Sequence, residues 1–316
     1  MRRFGAHSTT ADVLAGIDLR GKVAVVTGAS GGLGQETARA FAAHGCRVVL
    51  TARDLVKGDA AAQSIRASTG NAQVEVEDLE LGSLASVRAC AQRLLARYPA
   101  LHILVNNAGV MACPFATTED GFEFHFGSNH LGHFLLAGLL LPALRRGAPS
   151  RVVSVSSIGH RVAPIVFEDL HFARRPYNPW LAYGQSKTAN VLFAVEFNRR
   201  FGPAGVHAYA VHPGAIPTEL NRHLSAEDLA AVERHTPGGK LETKSVAAGA
   251  ATAVYAATAP ELEGQGGVYL EDCHVAEVSD AKAANEGVKF YAVDPVLAQR
   301  LWHISEELVG EHFAPN

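Results

Sequence analysis

Short apolar segments rich in β-branched residues alternate with longer helix-like segments through most of this chain. Most of the apolar runs lack interposed polar residues, which is typical of strands covered on both faces of a parallel sheet. This β-α-β order predicts an α/β fold, namely a single doubly wound domain with a parallel sheet of about seven strands and helices on both faces. The predicted strands span residues 22–27, 47–51, 73–77, 101–105, 151–155, 206–211 and 267–270, and helix-like segments between them include 35–44, 60–67 and 84–97.

No linker, low-complexity tract or long charge run interrupts the alternation, so residues 1–316 are expected to form one domain. Around its core we expect an N-terminal extension over 1–20 and a C-terminal extension over 271–316. Residues 158–180 form an aromatic, proline-containing insert, and 219–240 are predicted to form a lid near the substrate. A surface helix packed at 219–235 is the alternative to the lid.

Composition restricts the class of protein. The chain has 28 Lys and Arg against 31 Asp and Glu, without a basic block, which argues against a nucleic-acid partner. Its four cysteines are scattered without a CxxC pair and indicate reduced thiols in a cytoplasmic protein. The most apolar stretch, 131–144, is too short to cross a bilayer, so we expect a buried helix and no membrane partner.

Polar or glycine-rich motifs follow most of the predicted strands. Because ligands of doubly wound sheets bind beyond the carboxyl ends of the strands, these motifs are expected to share one edge. They are the glycine loop at 28–34, Arg53, Asp78 with Leu79, the run 106–109, the serines 156–157, and His212 with Pro213 and Gly214.

The glycine loop joins the first predicted strand to a helix with the spacing G-x-x-x-G-x-G. Glycines let backbone amides approach a pyrophosphate, and the helix N-terminus that follows favours its negative charge. A tight turn that binds nothing is the alternative interpretation. The predicted cofactor contacts here are Gly28, Ser30, Gly32, Leu33 and Gly34.

Arg53 follows the second predicted strand, where an acidic side chain would favour NAD(H). A guanidinium suits the 2′-phosphate of NADP(H) instead, so NADP(H) is favoured over NAD(H). A solvated surface role for Arg53 is the alternative. Asp54 is predicted to cap the next helix.

Two further motifs complete the predicted cofactor cleft. Asp78 could hydrogen-bond an adenine amino group or simply cap a loop, and Leu79 follows it. Asn106, Ala108 and Gly109 end the fourth strand, where small residues permit close approach and where a structural role is expected beside cofactor contact.

Tyr183 and Lys187 stand four residues apart, on one face of a predicted helix. An ammonium beside a phenol favours the phenolate, which would lower the pKa of Tyr183 and let it exchange a proton near neutral pH. The pair is therefore a candidate proton donor or acceptor for a carbonyl or alcohol oxygen.

Taken together, these residues resemble the short-chain dehydrogenase/reductase family, whose fold is a Rossmann domain. The resemblance implies that Tyr183 is the proton donor or acceptor, that Ser157 polarises the substrate oxygen, and that Lys187 holds the nicotinamide ribose. It also implies a water-linked proton path at Asn129. The matching motifs are Thr27-Gly28-x-x-x-Gly32-x-Gly34, Asn106-Asn107-Ala108-Gly109, Ser157, Tyr183-x-x-x-Lys187, and Pro213-Gly214-x-x-x-Thr218, with Thr218 at the nicotinamide end.

The segment between Ser157 and Tyr183 is long, and it resembles one branch of the family, the retinol dehydrogenases and the WW-domain-containing oxidoreductase. The motif Thr9-Thr10-Ala11-Asp12 and the C-terminal Arg300-Leu301-Trp302 also fit this branch. The resemblance implies a bulky, apolar substrate without establishing retinoids. Neither a WW module nor a membrane anchor is expected here.

Histidines are numerous, but they do not form a predicted metal site. Among His125, His130 and His133 only the last two are helical neighbours, and a completing carboxylate is not evident, so no metal is expected. His160 and His212 flank the proposed cleft, where hydrogen-bonded or solvated roles are favoured over substrate contact.

The sequence thus predicts an NADP(H)-dependent oxidoreductase that interconverts an alcohol with a ketone or aldehyde. Two other classes remain open: an epimerase or dehydratase, and a cofactor-sensing or scaffold protein without catalysis. The segments 122–145 and 180–200 are candidates for pairing two copies into a homodimer, unless the C-terminal extension covers them.

Overall fold

A single sheet forms the centre of the molecule. The computed structural model describes residues 4–218, 220, 227, 242–281 and 286–315. The strands are β1 Val23–Thr27, β2 Arg47–Ala52, β3 Val74–Asp78, β4 Ile103–Asn106, β5 Ser150–Val155, β6 Val206–His212, β7 Val268–Glu271 and β8 His274–Val275. Within the described residues their order is β3-β2-β1-β4-β5-β6-β7-β8. The first seven are parallel and β8 is antiparallel to β7.

Helices cover both faces of this sheet. The described α-helices are α1 Thr10–Leu14, α2 Gly32–Ala43, α3 Leu55–Thr69, α4 Leu84–Arg97, α5 Gly132–Arg146, α6 Pro179–Phe201, α7 Val246–Thr258 and α8 Pro295–Val309. Alternate side chains of β1 enter two separate cores: Val25 packs with the layer of α4, α5 and α6, and Val26 packs with the layer of α2, α3 and α7. The doubly wound single domain predicted from the sequence is therefore confirmed.

The seven predicted strands are all present, and β8 is an addition that the sequence pattern did not indicate. It is joined to β7 by Asp272 and Cys273, whose φ angles are 48° and 57°. Two consecutive positive φ angles suit a tight hairpin, but such turns usually carry Asn-Gly or Asp-Gly. The turn contains neither of these residue pairs and β8 has only two residues. Neither turn signals nor hydrophobic periodicity could therefore predict this strand.

Capping residues account for most helix starts. The Asp54 carboxylate accepts a hydrogen bond from the backbone N–H of Lys57 at 3.1 Å, which confirms its predicted capping role and starts α3 earlier than the predicted segment. Helix α4 begins after the capping Ser83 and coincides with the predicted 84–97.

The insert and the C-terminal extension pack over the carboxyl edge of the sheet and over α6. Arg161, in the insert, donates hydrogen bonds to the backbone carbonyls of Ser279, Ala281, Glu286 and Gly287, so the two segments hold each other. The predicted lid over 219–240 lies outside the described residues apart from positions 220 and 227.

Trp302 anchors the C-terminal helix α8. Its ring lies 4.8 Å from that of Phe134 on α5 and 6.2 Å from that of Phe197 on α6, between ring centroids. Beyond α8, the Phe313 ring fills the space beside Gly138, where a Cβ would lie 2.3 Å from it. The C-terminal extension therefore covers part of the face formed by α5 and α6.

Candidate active site

The glycine loop is shaped by close contact with the end of β4. Gly28 has a φ of +62°, and a Cβ at this position would lie 2.7 Å from the Ala108 Cβ. A Cβ on Gly34 would lie 2.5 Å from both the Gly28 carbonyl oxygen and the Asn107 amide nitrogen. Only glycine fits these two positions, so the loop can pass close to the 106–109 segment.

Helix α2 begins directly after this loop with its first backbone N–H groups uncapped. Its N-cap residue, Gly31, makes no side-chain cap, and a Cβ there would meet no atom within 4 Å. A helix N-terminus with free N–H groups beside open space suits a pyrophosphate. Among the other described α-helices, side chains cap all except α5, which continues from a π-helix; the capping residues are Thr9, Asp54, Ser83, Asn178, Ser245 and Asp294.

Asn107 holds the loop in place. Its side-chain amide donates to the Thr27 carbonyl at 2.8 Å and to the Gly28 carbonyl at 3.3 Å. The backbone N–H groups of Asn107 and Ala108 donate to Thr27 Oγ1 at 2.9 and 3.0 Å. Asn107 therefore supplies the structural role that was expected of the 106–109 run. The sequence motif contains Asn107, but Asn107 was not among the predicted site residues.

Asn106, the residue before Asn107, differs from it in the hydrogen bonding of its side chain. The residue is 1% exposed, yet neither its side-chain nitrogen nor its side-chain oxygen has a hydrogen-bond partner among the described residues. Unpaired buried amides are costly and call for a missing partner. Together with the glycine loop and the uncapped helix, Asn106 fits a cleft that takes a nucleotide cofactor.

Arg53 and Asp78 stand at the ends of adjacent strands. Arg53 follows β2, its side chain is 72% exposed, and its guanidinium lies 3.3 Å from the Glu80 carboxylate. Asp78 is the last residue of β3, is exposed, and stands beside Ala52 in the strand register. Both side chains are therefore accessible at the edge where the cofactor is expected, whereas the Leu79 side chain packs in the core.

Ser156 and Ser157 are distinguished by their partners. Ser156 Oγ donates to the Lys187 backbone carbonyl at 2.8 Å and is buried. Ser157 Oγ accepts the Gly159 N–H at 3.0 Å, and it lies near enough to the Tyr183 phenol to act on its pKa in the lowering direction. Ser157 is therefore the serine beside the phenol, as the resemblance implied.

Tyr183 and Lys187 lie on one face of α6 and are both buried. The Lys187 ammonium lies 5.6 Å from the centroid of the Tyr183 ring and donates to the Val155 carbonyl at 3.0 Å. A Cβ on Gly109 would lie 3.5 Å from the same Nζ atom, so Gly109 leaves room for it. The pair predicted from the spacing is assembled at the ends of β4 and β5.

The electrostatic expectation for this pair was wrong in direction for this structure. Burial raises the pKa of Tyr183 to about 12, and only the Ser157 hydrogen bond opposes the rise. Burial also lowers the pKa of Lys187 to about 8. The reason is geometric, since the ammonium points to the Val155 carbonyl and the ring rather than to the phenol oxygen, while both groups lose hydration.

Asn129 lies in a π-helix, Phe126–Leu131, a rare element that is frequent at functional sites. Its side-chain amide donates to the Val110 carbonyl at 3.0 Å and to Ser186 Oγ at 2.9 Å, and its carbonyl accepts the Val110 N–H at 2.9 Å. Asn129 thereby links the loop after β4 to helix α6 at Ser186, the residue before Lys187.

The motif after β6 closes the other side of the cleft. Gly214 has a φ of +96°, and a Cβ there would lie 2.7 Å from the Lys244 side chain. A Cβ on Gly32 would lie 3.5 Å from Thr218 Cγ2, so Thr218 stands beside the glycine loop. Pro213 is the residue that joins β6 to Gly214.

The histidines mentioned in the sequence analysis have separate partners. His130 Nε2 lies 2.8 Å from Ser305 Oγ, and His133 Nε2 lies 2.8 Å from Thr27 Oγ1. His160 Nδ1 lies 2.7 Å from the Ser157 carbonyl oxygen, and His212 Nδ1 accepts the Ile158 N–H at 3.2 Å. Across the described parts of the chain, no group of three or more potential ligands is arranged to hold a metal ion.

Gly159 and Glu123 contribute to the surroundings of Tyr183 but were not predicted from the sequence. A Cβ on Gly159 would lie 2.7 Å from Tyr183 Cε1, so this glycine makes room for the Tyr183 ring. The His125 ring lies 6.2 Å from the Tyr183 ring, edge to face, and His125 Nδ1 lies 2.8 Å from Glu123 Oε1. Glu123, two residues from His125, is the nearby carboxylate that the sequence analysis did not recognise.

Comparison with known proteins agrees with this geometry. The sequence model of the short chain dehydrogenase family matches residues 22–229. Retinol dehydrogenase 12 of Mus musculus is 46% identical over 297 residues, which cover 93% of this chain and 88% of the relative. Retinol dehydrogenase 11 of Homo sapiens is 45% identical over 294 residues, covering 93% and 87%.

Solved structures show the same fold. An uncharacterized protein from Mycobacterium Paratuberculosis has a TM-score of 0.74 and 37% identity, with 97% of this chain and 99% of that chain covered. The Pseudomonas aeruginosa RhlG/NADP active-site complex has a TM-score of 0.64 and 28% identity, covering 80% and 95%.

This chain therefore belongs to the short-chain dehydrogenase/reductase family, within the branch that contains the retinol dehydrogenases. As a member it is an oxidoreductase enzyme on a Rossmann fold that uses a nicotinamide cofactor. Within the described ranges, none of the helices combines the length and apolarity that crossing a membrane requires.

Proposed function

We propose that this enzyme uses NADP(H) to interconvert an alcohol with its ketone or aldehyde on a bulky hydrophobic substrate. The observation that carries the proposal is the meeting of Ser157, Tyr183 and Lys187 at the carboxyl edge of the sheet, beside the uncapped start of α2. These groups can polarise a carbonyl oxygen and deliver a proton to it.

In the direction of reduction, Tyr183 is the proton donor. Its raised pKa, about 12, keeps the phenol protonated at neutral pH, so the proton is available to a carbonyl oxygen. In this structure Ser157 is the group that favours the phenolate left behind, while the Lys187 ammonium lies 5.6 Å from the ring centroid and donates to the Val155 carbonyl. The nicotinamide cofactor, when bound, supplies the hydride for reduction or accepts it for oxidation.

Ser157 acts on the same substrate oxygen. Its Oγ accepts the Gly159 N–H, which leaves the hydroxyl proton to donate towards the phenol oxygen or a substrate oxygen beside it. A donor fixed before the reaction stabilises the developing negative charge without reorganisation. We assign Asn129 the part of joining the loop after β4 to α6 and of supporting the proton path.

The preference for NADP(H) rests on Arg53. Its guanidinium is exposed at the end of β2. Among the described residues its ion-pair partner is Glu80, whose carboxylate lies 3.3 Å from the guanidinium at the surface. A surface pair of this kind is weak, so a 2′-phosphate could compete for the guanidinium. A structural relative, the RhlG protein, was solved as an NADP complex.

The substrate class rests on the retinol dehydrogenase relatives and on the aromatic insert. The Tyr177 ring lies 5.3 Å from that of Phe172 and 5.1 Å from that of Phe115, both edge to face. Phe115 is 55% exposed. Such a surface suits an apolar alcohol or carbonyl compound rather than a sugar.

We further propose a cytoplasmic location, and we consider pairing into a homodimer. The four cysteines form no disulfide, and a reducing compartment such as the cytoplasm keeps thiols in this state. Pairing into a homodimer remains a prediction. Because α8 covers part of the α5 and α6 face, such pairing would use the area that α8 leaves open.

The test is the rate at which NADPH and NADH are oxidised with aldehydes and ketones of increasing apolar size. We expect catalytic efficiency to rise with apolar size and NADPH to be preferred by about tenfold or more. Tight NADPH binding with no turnover on any bulky carbonyl compound would contradict the proposal and favour a sensor or scaffold. Retained cofactor without net consumption of added NADPH would favour an epimerase or dehydratase.

A further inference from the structure

A cysteine, a histidine and a glutamate form a hydrogen-bonded chain close to Tyr183. Cys113 Sγ lies 3.3 Å from His125 Nε2, and His125 Nδ1 lies 2.8 Å from Glu123 Oε1. All three residues are buried. This is the order of nucleophile, base and orienting carboxylate that activates cysteine in many enzymes.

The hydrogen bonds assign the proton on the histidine. Glu123 accepts the backbone N–H groups of His125 and Phe126 at 3.0 and 2.8 Å, so its carboxylate is fixed before it meets the ring. Nδ1 therefore carries the proton and donates it to Glu123. Nε2 is left as an acceptor, and it faces the Cys113 backbone N–H at 3.4 Å and the Cys113 thiol at 3.3 Å.

The cluster of Cys113, His125 and Glu123 lies beside the Tyr183 ring. His125 contacts the Tyr183 ring edge to face at 6.2 Å. Tyr177, from the aromatic insert, donates its hydroxyl to the Cys113 carbonyl at 2.9 Å and lies 3.3 Å from His125 Nδ1. If a carbonyl compound meets Tyr183 with its oxygen, as proposed above, it lies beside the imidazole that faces the thiol.

The other cysteines provide an internal contrast. Among the described residues, Cys46 and Cys273 have no histidine hydrogen-bond partner, and Cys90 lies on α4 with its side chain in the core. Burial raises the pKa of the Cys46 and Cys90 thiols to about 12 and that of Cys273 to about 11. Simple packing, the usual role of a buried cysteine, explains these three but not a thiol set against an oriented imidazole.

We propose that Cys113 is a nucleophilic thiol that reacts covalently with α,β-unsaturated aldehydes and ketones inside the substrate site, with His125 as its base and Glu123 holding that base. The sulfur forms a bond to the β-carbon of the conjugated compound while the carbon–carbon π bond breaks. His125 Nε2 takes the thiol proton and returns it to the α-carbon, so atoms and electrons balance without an oxidant or reductant. The product is a saturated thioether on Cys113.

The test is alkylation of the folded full-length protein by trans-2-nonenal, without NADPH, followed by mass spectrometry of the intact protein and of its peptides. Nonanal, which has the same chain without the double bond, is the control probe. We expect Cys113 to be modified about tenfold faster than Cys46, Cys90 or Cys273. Equal rates at the four thiols, or no adduct on Cys113 while the protein is folded, would overturn the proposal.

Two variants test the base. His125→Gln should slow alkylation of Cys113 about tenfold, and His44→Gln, which replaces a histidine bonded to the Ala40 carbonyl at the far end of α2, should change it less than about twofold. An unchanged rate in His125→Gln would overturn the role of the base. The comparison of the four thiols uses the native protein and does not depend on whether His125→Gln folds. Because the readout is mass rather than turnover, it is also independent of the proposed oxidoreductase substrate.

Discussion

Ser156 and Ser157 are neighbours in the chain, yet their hydroxyl groups serve different parts of the molecule. Ser156 Oγ donates to the Lys187 carbonyl at 2.8 Å and so ties the end of β5 to helix α6. Ser157 Oγ accepts the Gly159 N–H and acts on the Tyr183 phenol, whose pKa it lowers against the effect of burial. Because the backbone is extended here, adjacent side chains point to opposite sides. Ser156 therefore supports helix α6, and Ser157 faces the phenol.

This division predicts different effects for the two alanine variants. Ser157→Ala should lower kcat by about 10²–10³ through loss of a donor to the developing oxyanion, with NADPH affinity retained. Ser156→Ala should instead lower the free energy of unfolding by about 1 kcal/mol and change kcat little. Steady-state kinetics and denaturant unfolding of both variants give the comparison. Equal kinetic losses in the two would contradict the assignment of Ser157.

Arg53→Ala should reduce the preference for NADPH. Loss of the guanidinium should raise the KM for NADPH about tenfold and leave the KM for NADH within about twofold, because only NADPH carries the 2′-phosphate. Arg47→Ala is the matched control, since Arg47 begins the same strand at the opposite edge and pairs with Glu75 at 3.1 Å. If both variants changed the KM values for NADPH and NADH alike, Arg53 would not be the residue that binds the 2′-phosphate.

Gly34→Ala should disturb the glycine loop. The added Cβ would lie 2.5 Å from the Gly28 carbonyl oxygen and the Asn107 amide, so the loop must shift. We expect a loss of about 1–3 kcal/mol in the free energy of unfolding together with weaker cofactor binding. Gly5→Ala, where a Cβ meets no atom within 4 Å, is the control for calorimetry and cofactor titration. Unchanged cofactor affinity in Gly34→Ala would show that the loop does not hold the cofactor.

His130 should contribute to loss of stability in acid. Burial lowers its pKa from the ordinary 6.5 to about 3, so the unfolded chain binds a proton that the folded one does not across that range. Stability from this group is complete above pH 6.5 and is lost as the pH falls towards 3. His130→Gln, which can keep the bond to Ser305, should flatten the dependence of unfolding free energy on pH by about 1.4 kcal/mol per unit.

The measurement is urea unfolding at several pH values between 6 and 4. The exposed His7 gives the control variant, His7→Gln, for which the native slope is expected. A slope in His130→Gln equal to that of the native protein would show that the proton uptake lies elsewhere.

The sheet could be predicted from sequence because apolar β-branched runs report burial on both faces directly. The identities of Ser157, Tyr183, Lys187 and the glycines could be predicted because their spacing is local. The pKa of Tyr183 could not, since it depends on the direction of the Lys187 ammonium and on burial, which packing decides.

The same distinction explains the residues that were missed. Gly159 matters because of the Tyr183 ring that comes against it from α6, and Glu123 matters because its carboxylate lies 2.8 Å from His125 Nδ1 just before the π-helix. Neither contact has a periodic or motif signal in the chain. Strand β8 escaped for a related reason, as its turn uses Asp272 and Cys273 rather than the residues typical of such hairpins.

The most direct test of the central claim is single-turnover transfer of deuterium from NADPH, labelled at the hydride position, to the carbonyl carbon of a hydrophobic aldehyde. We expect Tyr183→Phe to slow this transfer by about 10²–10⁴ while binding NADPH normally. Tyr209→Phe, which removes a buried hydroxyl bonded to the Leu262 carbonyl far along β6, should transfer deuterium at close to the native rate. Native-rate transfer in Tyr183→Phe would contradict the assignment of Tyr183 as the proton donor.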